Sequence, residues 1–63
     1  MRNIILNETV TLHGMNSSLV SIVPIRFEFD HVVCKYLYSY PGREEKVSYE
    51  LFEENGLKKP ENV

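Results

Sequence analysis

Alternation is the feature that most restricts what this chain can become. Between Thr9 and Tyr49, apolar and polar residues trade places in short runs, and turn-forming residues interrupt each run. Val10 and Leu12 alternate with Thr9, Thr11 and His13, which is the period-two pattern of a strand with one buried face. Asn7-Glu8 marks a turn or bulge between the Ile4–Leu6 run and this strand. Gly14, Asn16, Ser17 and Ser18 then form a loop, with Gly14 free to take a positive φ.

The next segment, Leu19 to Asp30, is strongly β-prone. Leu19, Val23, Ile25, Phe27 and Phe29 share one parity, interrupted by Ser21, while Arg26, Glu28 and Asp30 take the other side. Pro24 cannot donate to a ladder, so the strand must be an edge, bulged or bent there. Asp30-His31 is a tight-turn candidate. From Val32 to Tyr40 the chain places Val32, Cys34, Tyr36, Tyr38 and Tyr40 on one parity and Val33, Lys35, Leu37 and Ser39 on the other. Apolar groups on both faces predict a central strand. Pro41-Gly42 fits the middle of a type II turn, and Glu45 to Tyr49 returns as its partner, with Val47 and Tyr49 facing in. Glu50 to Glu54 reads as one helical turn stopped by Asn55-Gly56, with Leu51 and Phe52 capping an open end of a small barrel and Leu57 packing just beyond.

Five antiparallel segments, a bent second strand and a C-terminal helical turn predict an all-β fold. The expected form is a small SH3-like five-stranded antiparallel barrel over residues 1–57, with a frayed tail over residues 58–63. Glu8-Thr9-Val10-Thr11-Leu12, the Gly-containing loop and Leu19-Val20-Ser21-Ile22 resemble the opening of the YodC-like small bacterial proteins. Val33-Cys34-Lys35-Tyr36 and the charged return Gly42–Tyr49 are similar to their later strands, and Leu57 lies near their terminal Leu. The resemblance spans roughly residues 8–57; it implies a small barrel and supplies no active site.

Sixty-three residues are enough for one domain. A chain of this size buries only about 60% of the surface its unfolded form exposes, so its core is small. With 43% apolar residues, four Tyr and three Phe, it is still too hydrophobic to stay disordered. There is no room beside that core for a deep cleft, so an enzyme is not expected. The formal charge of −2 lacks the basic surplus of a duplex-binding domain. One cysteine gives no disulfide framework, and the N-terminal apolar run of three residues is too short for a signal core or a membrane span. A cytoplasmic setting without membrane contact is the expectation.

His31-x-x-Cys34 is the only pair with metal-ligand spacing, and His13 and Asp30 are the nearest further donors. Against that stands the plainer reading, a turn histidine followed by a buried strand cysteine that behaves as a small hydrophobe. A Cys–His nucleophile pair would need an orienting third group and an oxyanion site, and the sequence offers neither. No metal, other cofactor or catalytic set is therefore expected. Tyr36, Tyr38 and Tyr40 form an aromatic stripe, and three hydroxyls in a row are too many for a dry core. The plainer reading is that these rings form the core and a rim of the barrel; with Arg43 beside them, they are also the candidate partner-binding residues. Flanked by Lys35, Arg43 and Lys46, the same stripe could stack single-stranded bases. Glu44, Glu45, Glu50, Glu53 and Glu54 make the C-terminal third acidic; such a cluster is ordinarily a solvated face, and as a functional one it would repel nucleic acid and favour a basic protein surface.

The sequence therefore favours a non-catalytic interaction module, accessory or inhibitory, that binds a protein partner or itself. A nucleic-acid-associated barrel using Tyr and Lys contacts is the alternative. Association also follows from size, because small scaffolds usually need a disulfide, a metal or a partner as a staple.

Overall fold

In the computed structural model, residues 1–14, 18–37 and 43–63 are described. The strands are Arg2–Asn3 (β1), Val10–His13 (β2), Leu19–Phe27 (β3), His31–Tyr36 (β4) and Glu45–Ser48 (β5). A six-residue helix, Tyr49–Glu54 (α1), follows, and Leu57–Lys58 forms β6. Strands β2-β3-β4-β5 make one antiparallel sheet in sequence order, while β1 and β6 pair in parallel as a separate ribbon. The mostly β reading holds, and so does the inner position of β4. The Pro41-Gly42 turn lies outside the described residues.

The expected barrel does not form. The four-stranded sheet stays open, with β2 and β5 as its edges. The N-terminal residues, which would have closed it, pair with β6 instead through Arg2 N–H to Gly56 O at 2.9 Å and Ile4 N–H to Lys58 O at 2.8 Å. The cause lies at the end of α1. Ser48 caps the helix by accepting from Leu51 N–H, and Gly56 at φ 79° turns the chain back so that Leu57 runs beside Arg2. Phe52, Leu57 and Ile4 then fill the concave side of the sheet together with Leu12, Ile22, Val32, Cys34 and Val47. The helix and ribbon take the volume that a closing strand would have enclosed.

A bulge also overturns the parity expected for β3. Pro24 pairs with Cys34, but Arg26 pairs with Val33, so Ile25 is an extra residue on this strand. Without an N–H, Pro24 cannot continue the ladder, and the strand accommodates it by slipping one position. Ile22 and Pro24 face the core before the slip and Phe27 faces it afterwards. Leu19, before the slip, therefore points outward and is 64% exposed, while Phe29 lies beyond the end of β3, in the turn, and is 96% exposed. A period-two count cannot cross a bulge.

The predicted turn at Asn7 is present, in the left-handed region at φ 66° that Asn tolerates. Gly14 closes its loop by N–H donation to Ser18 O without needing a positive φ. Tyr49 opens α1 rather than ending β5, and its hydroxyl donates to Glu28 O at 2.7 Å. Lys58 belongs to β6 rather than to a frayed tail, and Lys59 places its ammonium 5.5 Å from the centroid of the Tyr49 ring. At the free edge of β2, the Asn55 amide accepts from His13 N–H at 2.9 Å and donates to His13 O at 3.3 Å. One side chain thus substitutes for a neighbouring strand at that position and ties the sheet edge to the helix end.

Candidate functional site

The two faces of the sheet differ in chemistry because the strand register sorts their side chains. Cross-strand pairs Ile22–Tyr36, Pro24–Cys34 and Val32–Val47 lie on the core side. Pairs Thr11–Ser21, Val23–Lys35 and Val33–Lys46 lie on the outer side. Val33 is buried there, beneath a charged band in which Arg26 bonds Glu28 at 3.0 Å and Glu44 at 3.3 Å. Those bonds, Glu28 first, raise the pKa of the Arg26 guanidinium further above neutrality.

The predicted binding residues are only partly brought together. Tyr36 ends β4 on the core side, and it is 40% exposed. The β4–β5 ladder stops at Cys34–Glu45. Counting two residues on from that pair reaches Tyr36 on one strand and Arg43 on the other, so both sit at one end of the sheet. Arg43 Nε bonds Glu45 Oε1 at 2.8 Å. Tyr38 and Tyr40 lie outside the described residues. Lys35 and Lys46, expected to flank the tyrosines, occupy the opposite face from Tyr36. Among the described residues, Tyr36 therefore shares its face with neither Lys35 nor Lys46.

That same end carries apolar groups the sequence reading did not assign to binding. Leu37 N–H donates to Ser21 O at 3.1 Å, which sets Leu37 opposite Ser21 on the outer side, diagonal to Leu19. Leu37 is 44% exposed. Leu19, Tyr36 and Leu37 thus surround the end of the β3–β4 pair, two from the outer face and one from the inner. For Tyr36 and Leu37 the legible signal is the presence of large apolar groups on both parities of one run, Val32 to Tyr40.

The His31-x-x-Cys34 spacing does not create a site. Residues three apart on a strand project to opposite faces, and His31 points outward while Cys34 is buried in the core. His31 Nδ1 pairs with Asp30 Oδ1 at 2.6 Å, and the Asp30 carboxyl is held below its usual range chiefly by that bond. Burial pushes the Cys34 thiol up to about 12, and its weak partner is Val32 O at 3.7 Å. Among the described residues, no group of three or more His, Cys, Asp or Glu is placed to hold a metal ion.

An open groove of about 760 Å³ lies between the β1–β6 ribbon and the edge of β2, with Arg2, Glu8 and Lys58 as its charged lining. No helix is long and apolar enough to cross a membrane among the described residues. No family model matches the chain, and no curated protein or solved structure shows significant similarity to it.

Proposed function

We propose that this protein is a small non-catalytic interaction module that docks onto a protein partner through the end of its sheet formed by Leu19, Tyr36 and Leu37. The observation that carries this reading is that these large apolar side chains are exposed together while the core is complete without them. An exposed apolar group of this kind is stabilised when a partner removes it from water. Arg43 lies at the same end and adds a polar rim, an arrangement common to protein interfaces. The separation of Lys35 and Lys46 from Tyr36 favours this reading over base stacking.

The test is a quantitative pull-down from nuclease-treated lysate of the cells of origin. The bait is the full chain or its Leu19→Ser/Leu37→Ser variant. A protein held in stoichiometric amount by the first and lost from the second is the expected result. Equal recovery by both baits, or recovery only of nucleic acid when nuclease is omitted, would contradict the proposal.

A further inference from the structure

The β3–β4 turn carries an aromatic side chain that neither the core nor local turn chemistry explains. Glu28 N–H donates to His31 O at 2.9 Å, which closes a four-residue turn with Phe29 and Asp30 in its middle. Those positions favour Gly, Pro, Asn, Asp or Ser, and Asp30 conforms. Phe29 does not, and it is 96% exposed.

The turn around it is held from several directions. Tyr49, on α1, donates its hydroxyl to Glu28 O at 2.7 Å. Arg26 Nε donates to Glu28 Oε1 at 3.0 Å, and Asp30 Oδ1 meets His31 Nδ1 at 2.6 Å. These bonds fix both residues that flank Phe29, so the ring projects from an ordered base. A projecting aromatic on an ordered turn loses little conformational freedom when bound, which is the economy that makes such residues binding anchors.

The charge beside it restricts what it can enter. Asp30 keeps 77% of its side-chain surface exposed. Glu28 is shared with Arg26, and Glu44 lies just beyond on the same cation. An anionic lipid surface or a phosphate backbone would be repelled by Asp30, whereas a cation on a protein surface would be attracted.

We infer that Phe29 is an anchor that inserts into an apolar pocket of a partner protein, with a Lys or Arg at the pocket rim facing Asp30. This goes beyond the proposed docking surface, because Leu19, Tyr36 and Leu37 lie at the opposite end of the β3–β4 pair.

The experiment places a photo-crosslinking p-benzoylphenylalanine at position 29, or separately at position 37, in the full chain added to lysate of the cells of origin. The adduct is then mapped by mass spectrometry. The expected result at position 29 is one protein adduct whose mapped peptide is apolar and contains or adjoins Lys or Arg. Its yield should fall about tenfold when Asp30→Lys is added, the order expected for setting like charges together. Unchanged thermal melting of these variants confirms that position 29 makes no contribution to folding.

An adduct lacking a neighbouring cation, or insensitive to Asp30→Lys, overturns the inference, as does no adduct at all. The same holds if phosphatidylcholine vesicles bind the wild-type chain and lose it on Phe29→Ala, because the occupant would then be lipid. Capture at position 37 alone leaves the docking proposal standing and removes this one. Capture at position 29 alone does the reverse.

Discussion

Replacing Phe52 with Ala tests how the open sheet is completed. Phe52 is the largest fully buried side chain in the described structure, and it projects from a helix of only six residues. Such a helix is too short to persist by propensity alone, so packing of this ring must hold it in place. Removing a buried Phe costs about 3–5 kcal/mol, from lost transfer energy and the cavity left behind. At about 0.05–0.15 kcal/mol per residue, a chain of this length has total stability of about 3–9 kcal/mol. The variant should therefore lose most of its stability and be partly or wholly unfolded at room temperature. Urea unfolding followed by tyrosine fluorescence and far-ultraviolet circular dichroism reads this directly. Phe29→Ala is the internal control, and its midpoint should stay within about 0.5 kcal/mol of wild type, as for an exposed site. If Phe52→Ala melts like wild type while Phe29→Ala collapses, the helix does not complete the core and the simple parity count of β3 was right.

Three further perturbations probe other joints of the fold. Cys34 should resist thiol reagents in the native protein at pH 8 and react only on unfolding. Because burial raises its folded pKa from 9.0 to about 12, its contribution to stability is complete below pH 9 and declines as pH rises through that interval, visible as a difference in alkaline unfolding between wild type and Cys34→Ala. Asn55→Ala removes both bonds to His13 and one to Leu51 O; a loss of about 1–2 kcal/mol, with faster amide exchange at His13, is expected. Gly56→Ala forces a Cβ into a left-handed conformation in otherwise open space, so the cost is backbone strain of about 1 kcal/mol, measured by denaturant midpoint.

The parts of this fold that local chemistry determines were legible in the sequence. Val10 and Leu12 alternate without interruption, and β2 follows them. Asn55-Gly56 stops α1 because Gly accepts the positive φ there. Cys34 was assigned to a buried strand position by its neighbours Val32 and Tyr36, and it is there. What escaped was non-local. The slip at Ile25 depends on how β4 meets Pro24, and it puts Leu19 on the outer face, while β3 ends at Phe27 and leaves Phe29 in the turn. The pairing of Arg2 with Leu57 joins the two ends of the chain in parallel over two residues, too short a ladder to leave a periodic trace. It left the barrel open. The candidate site divides the same way. Tyr36 is part of a stripe with more rings than a dry core accepts, while Leu19 becomes a candidate through the register before the bulge, Leu37 through its place just past β4 and Phe29 through its place in the turn.

The central claim is that the chain binds a protein through exposed apolar side chains at the end of its sheet. Hydroxyl-radical footprinting tests it most directly, by comparing side-chain oxidation in the free chain with that in the complex recovered by pull-down. Leu19, Tyr36 and Leu37 should all oxidise readily in the free chain and be protected together in the complex. A complex in which all three oxidise as fast as in the free chain would contradict the account.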